Sequence, residues 1–337
     1  MLTTVAEGRV YDWSHAVGRG AAAGDGFNQP CSIVAGANGM MYVVSRGNEN
    51  NFGSRVSKVF VGAPGDEKVH AEFCRYGTDP GRALWPNSVA LDSQENVYVS
   101  DDWLNRISVF DQDGNFLSVW GTSGSAQGQL NGPAGLAFDK DDNLYVVDSR
   151  NHRIQVFTKD GRYLGGCGKL GTGPVEFNLP WGIHIDVNDD VFVADWKNNR
   201  VQKLTKNGAF LMQIAGEGAR ALNHPTHVTT DSEGDIYVCD WANHKLRIYT
   251  PDGDLITSLV GDAQVMSKWG QQSLNANPDM VKMRRRVKSL EREWRFCYPT
   301  AVAYDKGNDT ILVADCQRGR LQIYKKDKNY SIPQFNL

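Results

Sequence analysis

The most constraining feature of this sequence is a pattern that occurs six times along its 337 residues. Each copy begins with a proline that leads an apolar stretch, continues into a second apolar stretch ending in Asp or Ser, and adds further short apolar stretches separated by turn residues. The leading prolines are spaced by 56, 47, 47, 45 and 74 residues, and they are Pro30, Pro86, Pro133, Pro180, Pro225 and Pro299. A period in the forties with four short strands per unit predicts the blades of a β-propeller.

A second regularity follows the second apolar stretch, where an acidic residue precedes a basic one by five positions. The pairs are Asp101 with Arg106, Asp148 with Arg153, Asp195 with Arg200, Asp240 with Lys245, and Asp315 with Arg320. The residues Tyr145–Phe157, YVVDSRNHRIQVF, closely resemble the NHL repeat. That resemblance implies an all-β, six-bladed propeller of NHL type. It says little about function, because one fold hosts many chemistries.

The repeats fill the chain, so we expect one propeller domain over residues 1–337. The expected blades cover residues 27–77, 84–121, 130–168, 177–216, 222–261 and 296–328. The last blade lacks a fourth strand, and residues 8–18 resemble the outer strand of blade 2 at residues 116–121. We therefore expect the N-terminal segment to complete the last blade, which closes the ring and removes an exposed sheet edge.

Composition excludes several classes of function. The net charge is −3 and 22% of residues are charged, so no general basic field recruits nucleic acid or anionic membrane. No run of 18 apolar residues predicts a membrane span, and the N-terminus has no apolar signal region. The six cysteines form no CxxC pair, which is typical of small core residues in a reducing compartment. We expect a cytoplasmic protein.

A helical insertion is expected at residues 262–295, between blades 5 and 6. Asn277 suits a helix cap and Pro278 the first helical position. Apolar residues then recur at spacings of three and four, and they are Met280, Met283, Val287, Leu290 and Trp294. The opposite face is basic. One interpretation is a lid with its apolar side over the channel mouth; the other is a docked helix with a solvated basic face.

Loops between blades, and loops between the second and third strands, open on one face of a propeller, which we term the top face. Trp103, Trp196 and Trp241 stand in such loops, and cations lie nearby in sequence. Aromatic rings with cations suit an organic ligand that carries a carboxylate or phenolic group, although packing between blades is an alternative. The expected ligand-binding residues are Asn87, Trp103, Arg150, Trp181, Trp196, Lys197, His224, Trp241 and Tyr298.

Two histidines interrupt the small residues of the innermost strands. His184 and His227 occupy positions four and two after their leading prolines, where most blades have Ser, Ala, Gly or Val. Side chains two apart in a strand share a face, so these imidazoles from adjacent blades are expected near one another at the axis. They are candidates for a general base pair or for buried, purely structural histidines. His152 and His244 fill a regular Asn/His slot and are interpreted as structural.

Blade 1 resembles the first blade of peptidyl-hydroxyglycine amidating lyase at Met41–Phe52, MYVVSRGNENNF. The resemblance implies that Arg46, which matches an arginine of that family's active site, contributes to a site here. Trp103 falls near that family's active-site tyrosine but has no phenolic proton. Its zinc-histidine positions hold Asn87, Trp181 and Thr300, which do not form a zinc ligand set. We therefore expect neither a metal nor another cofactor.

These observations favour a metal-independent lyase or hydrolase that acts on a small aromatic or carboxylated molecule in a top-face pocket. In this hypothesis Arg46 binds the anion while His227 and His184 move protons. The alternative is a propeller without catalysis that binds a ligand or a protein partner. RNA binding ranks last, because the basic cluster is confined to one helix.

Overall fold

The protein is a six-bladed β-propeller, as the sequence predicts. The structure is a computed structural model that describes residues 3–47 and 52–327, so part of the segment Met41–Phe52 that resembles amidating lyase lies outside it. Five blades are four-stranded antiparallel sheets, and the sixth sheet has five strands. Within each blade the strands follow one another from the axis outwards, as the short intervening turns require.

The strands are short, and all but the N-terminal pair follow the order of the chain from blade to blade. Blade 1 has Pro30–Ala35, Met40–Ser45, Arg55–Phe60 and Lys68–Phe73; blade 2 has Pro86–Leu91, Val97–Asp101, Arg106–Phe110 and Phe116–Trp120; blade 3 has Pro133–Phe138, Leu144–Asp148, Arg153–Phe157 and Tyr163–Cys167. Blade 4 has Ile183–Ile185, Val191–Asp195, Arg200–Leu204 and Phe210–Ile214; blade 5 has Pro225–Thr230, Ile236–Asp240, Lys245–Tyr249 and Leu255–Leu259; blade 6 has Pro299–Asp305, Thr310–Asp315, Arg320–Asp327, Arg9–Val17 and Thr3–Ala6.

The core lies between blades rather than within them. Second strands such as Val97–Asp101 and Ile236–Asp240 are buried along their whole length, because a neighbouring blade covers each face. They are accordingly continuous apolar runs, whereas the outer strand Phe116–Trp120 is largely exposed. All six cysteines are free thiols. No helix in the described chain is both long enough and apolar enough to span a membrane.

The N-terminus closes the ring, as predicted. Arg9–Val17 pairs antiparallel with Arg320–Asp327, with Val17 opposite Leu321 and Val10 opposite Asp327. A further strand, Thr3–Ala6, pairs onto the outside of Arg9–Val17. The sequence did not predict this strand, because its four residues TTVA carry no alternating pattern long enough to identify.

The insertion between blades 5 and 6 is helical but does not form the predicted lid. It contains three short helices, Lys268–Asn275, Pro278–Arg285 and Glu291–Trp294. The side chain of Asn277 caps the second helix, accepting from the backbone N–H groups of Asp279 and Met280. That helix ends at Arg285, well short of the predicted end.

The predicted apolar side of the lid faces solvent instead of the propeller. Met280, Met283 and Val287 are 53%, 67% and 51% exposed. The insertion is held through other residues: Trp269 is buried against Phe27, with ring centroids 6.3 Å apart. The lid prediction is therefore wrong in its packing, because the anchoring aromatic lies in a helix that the spacing argument did not include.

A buried lysine fastens the closing blade to blade 5. The Nζ of Lys326 lies 2.6 Å from Asp231, 2.5 Å from Glu233 and 2.8 Å from Asp235, and its side chain is 1% exposed. Burial alone would lower the pKa of Lys326, but its hydrogen bonds to these carboxylates raise it above its usual value. Arg9 adds a bond of 2.6 Å to Asp235. The closing strands are thus held by charge as well as by backbone pairing.

Replacing Lys326 by Met should lower the free energy of unfolding by about 3–5 kcal/mol, because it leaves the buried Asp231 without its cation. Urea unfolding followed by circular dichroism measures this. Lys325→Met is the matched control, since Lys325 is the exposed neighbour in the same strand, and it should change stability by no more than about 0.5 kcal/mol. Equal effects of the two substitutions would contradict the assignment.

Candidate functional site on the top face

A cavity of about 230 Å³ opens on the top face at the mouth of the central channel. Blades 1, 4, 5 and 6 supply its walls. The lining residues are Gln29, Cys31, Arg46, Trp181, Trp196, Thr226, Trp241, Tyr298, Thr300, Cys316 and Gln317. The cavity, which we term the top pocket, therefore unites Arg46, Trp181, Trp196, Trp241 and Tyr298, as the sequence predicts.

The backbone places the rim side chains through a repeated device. The residue before the leading proline is left-handed in most blades, with φ of 55° at His224 and 57° at Tyr298. Its N–H donates to a side chain of the preceding blade: His224 to Asn199 at 2.8 Å, and Tyr298 to His244 at 3.1 Å. The structural interpretation of His244 is thus confirmed. Left-handed non-glycine residues are strained, and these bonds hold them at the pocket rim.

Aromatic rings from blades 4, 5 and 6 form a continuous arc along one side of the top pocket. Ring centroids lie 6.3 Å apart between Trp181 and Trp196, 6.5 Å between Trp196 and Trp241, and 4.6 Å between Trp241 and Tyr298. His224 joins the arc, 4.5 Å from Trp196. Such a surface suits the flat face of an aromatic or unsaturated ligand.

Arg46 faces this arc across the channel mouth. Its guanidinium carbon lies 5.2 Å from the ring centroid of Trp85 and 5.6 Å from that of Trp181, so the cation rests between rings of blades 2 and 4. Its Nε donates to the carbonyl of Pro86 at 3.3 Å, and one Nη donates to Asn87 Oδ1. No ion pair joins Arg46 to a carboxylate among residues 3–47 and 52–327. The charge is therefore fixed in place and available to an anion.

The predicted residues beside Arg46 form hydrogen bonds and an ion pair with a neighbouring aspartate. Asp102 is buried, and Arg150 pairs with it at 3.1 Å. Burial raises the pKa of Asp102, against the lowering effect of Arg46 and Arg150. Asn87 donates to Asp102 at 3.4 Å. Arg150 and Asn87 therefore support the wall beside Arg46 and do not line the top pocket.

Trp103 and Lys197 also lie outside the pocket, and His224 contacts the aromatic arc without lining the pocket itself. Trp103 is 66% exposed, so its prediction as a ligand-binding residue of this pocket is wrong. The reason is register: Trp196 and Trp241 directly follow their strand-end aspartates, whereas Trp103 stands two residues after Asp101. Lys197 is exposed, with Nζ 4.9 Å from the Trp196 ring centroid, so it covers the arc from outside.

The histidine pair lines a different cavity, further down the channel. His184 and His227 border a space of about 230 Å³ among the innermost strands, and neither borders the top pocket. The expectation that His227 and His184 act in the top-face pocket is wrong, because each strand residue descends about 3.3 Å along the channel. Thr230 Oγ1 lies 2.9 Å from His184 Nε2, and the buried His227 Nδ1 has no partner in the described chain.

Burial also decides the protonation of this pair. It lowers the pKa of His184 to about 4 and that of His227 to about 4, with His184 adding to the effect on His227. Both imidazoles are consequently neutral at neutral pH. A base this weak is poorly matched to proton transfer near pH 7.

The remaining polar lining of the top pocket is mostly engaged. Thr300 donates to the carbonyl of Pro30 at 2.6 Å, and Thr226 donates to that of Pro299 at 3.3 Å. Burial raises the pKa of Cys31 and raises that of Cys316 to about 12, so both are thiols and weak nucleophiles. Gln29 and Gln317 were not predicted as site residues. The sequence places Gln29 beside a leading proline and Gln317 two residues after a strand-end aspartate. Glutamine, however, is not a residue type that by itself predicts a binding site.

The described residues offer one grouping of three potential metal ligands, Asp231, Glu233 and Asp235. Lys326 occupies its centre, so the charge is already balanced by an ammonium group. The positions predicted to match the zinc histidines of the amidating lyases also have other contacts. Trp181 and Thr300 line the top pocket, while Asn87 bonds to Arg46 and Asp102.

Solved structures with this architecture include enzymes and binding proteins. Virginiamycin B lyase from Staphylococcus aureus, as a catalytically inactive variant with quinupristin, is 14% identical over 94% of this chain and 99% of its own, with a TM-score of 0.58. A protein of unknown function from Bacteroides thetaiotaomicron is 18% identical over 94% and 76%, with a TM-score of 0.59. A chain of the nidogen/laminin complex is 17% identical over 76% and 92%, with a TM-score of 0.52. At these identities the similarity concerns the fold alone.

The repeat itself is recognised in sequence. No curated protein sequence matches the chain. Four segments match the NHL repeat, at residues 130–157, 177–204, 222–249 and 296–324, which are the bodies of blades 3 to 6. The resemblance of blade 1 to amidating lyase stays a prediction. The chain is therefore a six-bladed β-propeller that carries NHL repeats in its third to sixth blades.

Proposed function

We propose that the top pocket binds a small aromatic molecule that carries a carboxylate. The observation that carries this proposal is the position of Arg46, whose guanidinium lies between two tryptophan rings and faces the aromatic arc without a partner carboxylate in the described chain. A cation held between rings is partly desolvated, which strengthens its attraction for an anion. The arc supplies the flat apolar surface for the rest of the ligand.

The dimensions of the top pocket restrict the ligand class. A cavity of about 230 Å³ is below the usual range for a drug-sized molecule and suits one or two fused rings with a short acidic arm.

Replacing Arg46 by Gln should weaken binding of indole-3-acetate by about 10- to 100-fold, because a charge-assisted hydrogen bond contributes about 1.5–3 kcal/mol. Isothermal titration calorimetry measures this. Indole-3-acetamide is the matched probe, since it keeps the ring and lacks the charge, and its affinity should be the same for both proteins. Arg162→Gln is the protein control, since Arg162 is exposed in a turn on the opposite face, and it should leave both probes nearly unaffected. Loss of both probes in Arg46→Gln would indicate a collapsed pocket, and no change would exclude Arg46 as the anion site.

A second candidate function, hydrolysis or elimination at the edge of the same pocket, rests on His224, which contacts the aromatic arc. Its Nδ1 lies 2.7 Å from Asn223 Oδ1, an oxygen that can only accept, so Nδ1 carries the proton and Nε2 keeps its lone pair. Burial and the charge of Lys197 lower the pKa of His224. His224 contacts the aromatic arc, whereas His184 and His227 do not, so it is better placed than that pair to take a proton from water or from a bound ligand.

The anionic ester mono-4-nitrophenyl succinate tests this chemistry, because release of nitrophenolate is read by absorbance. His224→Gln should lower kcat by roughly 10²–10⁴, as expected for loss of a general base, with little change in KM. In the unsubstituted protein the acid limb of kcat/KM should lie below about pH 6.5, since the reactive form is the neutral imidazole and its pKa is lowered. His227→Gln is the control and should keep the same acid limb. Binding of indole-3-acetate without any turnover would leave the pocket as a non-catalytic binding site.

A further inference from the structure

A large cavity lies away from the top pocket, between blade 6 and blade 1. Its volume is about 830 Å³. It is bordered by turns that join first to second strands, at residues 35–39 and 305–310, and by the turn after the third strand of blade 1. Such turns open on the face opposite the top face. This space, which we term the junction cavity, is separate from the top pocket.

The cavity coincides with a break in the repeat. Three residues before the last residue of the second strand, blades 1 to 5 carry a buried aromatic side chain that packs towards the following blade. These residues are Tyr42, Tyr98, Tyr145, Phe192 and Tyr237. The hydroxyl of Tyr42 donates to the Gln112 carbonyl of blade 2 at 3.1 Å, and that of Tyr145 donates to the Lys206 carbonyl of blade 4 at 3.4 Å. In blade 6 the equivalent residue is Leu312.

The other side of the junction departs from the repeat as well. In blade 1 seven residues, 61–67, connect the third and fourth strands, whereas five residues, 111–115, do so in blade 2. Gly62 and Ala63 of this longer connection line the cavity. A smaller side chain in blade 6 therefore meets a longer turn in blade 1, and the space left there is larger than the cavity of about 310 Å³ that lies beside Tyr145 at the junction of blades 3 and 4.

The walls of the junction cavity combine an apolar surface with hydrogen-bond donors. Met41, Phe60, Leu312 and Ile323 form the apolar part. His15 also lines it and is only 7% exposed. Ser14 Oγ lies 2.9 Å from His15 Nδ1, and the buried Nε2 has no partner in the described chain.

The state of His15 follows from its surroundings. Burial, with a smaller contribution from Lys325, lowers its pKa to about 4, while Asp66 acts in the opposite direction. The ring is therefore neutral at neutral pH. When the Ser14 hydroxyl donates to Nδ1, Nε2 carries a proton that has no acceptor. Leaving such a buried donor unpaired is costly, which favours an occupant that accepts from it.

The charges around the cavity favour an anion. Lys306 and Lys325 line it, are exposed, and form no ion pair among the described residues. The one carboxylate in the lining, Asp305, already accepts from the Gly307 N–H at 2.9 Å and from the Asn308 side chain at 2.7 Å. Two free ammonium groups thus face one internally bonded carboxylate.

We propose that the junction cavity is a second ligand site, which takes a small anion with an apolar aromatic body. The apolar body would lie against Met41, Phe60, Leu312 and Ile323, and the acidic group would meet Lys325 and Lys306 at the rim. This site is independent of the top pocket, which lies on the opposite face and uses different residues.

The probe for this site is 8-anilinonaphthalene-1-sulfonate, an aromatic anion whose fluorescence rises when it leaves water. Leu312→Tyr restores the aromatic residue of the other five blades and fills the cavity. It should weaken the titratable binding of the probe at least tenfold while the urea unfolding midpoint is kept or raised. Phe192→Tyr, which changes the same slot of blade 4 without emptying or filling it, should leave probe binding unchanged.

A charge reversal tests the same site without touching the core. Lys325→Glu, at an exposed position, should weaken the anionic probe about tenfold and leave the neutral analogue N-phenyl-1-naphthylamine unaffected. Trp241→Ala in the top pocket should not alter either probe. If Leu312→Tyr folds and binds the probe as before, or if Lys325→Glu weakens both probes equally, the proposal is overturned. If Leu312→Tyr fails to fold, the result for Lys325→Glu decides alone.

Discussion

Each of blades 2 to 6 depends on a buried aspartate at the end of its second strand. Asp148 illustrates the arrangement: one carboxylate oxygen accepts from the Asn131 N–H at 2.6 Å, and the other accepts from Arg153 Nε at 2.8 Å. A buried charge is tolerated only when it is paired and hydrogen-bonded. Because Asn131 precedes the leading proline by two residues, the same carboxylate fixes both the blade and the connection that enters it. The rim of the top pocket is built on those connections.

The aromatic arc follows from this repeated arrangement of a strand-end aspartate bonded to the connection that enters its blade, which we term the frame. Blades 4, 5 and 6 present the same backbone to the channel mouth, so a ring after a strand-end aspartate meets a ring before the next leading proline, as Trp241 meets Tyr298. Blades 1 and 3 use that frame for Arg46 and Arg150, and blade 2 adds Trp85 beside Arg46. A propeller can thus divide one mouth into an apolar side and a charged side by side-chain substitution alone. The junction cavity arises in the opposite way, through departures from the frame at Leu312 and at the turn containing Gly62.

The sequence predicted the structural features that recur from blade to blade and missed features that occur in a single blade. The proline spacing predicted six blades, and the missing fourth strand of blade 6 predicted pairing by residues 8–18. Arg46, Trp181, Trp196, Trp241 and Tyr298 were correctly brought together, because their positions follow from blade equivalence. Trp103 was misplaced by a single step of register, and His227 by its depth in the channel. In blade 5 the ion pair with Asp240 uses Arg247 and not Lys245, since a long side chain reaches from either position. Such choices depend on packing that a single sequence does not reveal.

The pairing of Arg9–Val17 with Arg320–Asp327 has a kinetic consequence. These strands are more than 300 residues apart in the chain, so the last sheet cannot form until nearly every other blade has been synthesised. Blades made of consecutive strands can condense early, because their contacts are local. Until then, the backbone groups of residues 9–17 that pair with Arg320–Asp327 have no strand partner, and apolar side chains such as Trp13 are exposed. We therefore expect the pairing of the N-terminal and C-terminal strands to be the slowest folding step, and the state that precedes it to be the most prone to aggregation.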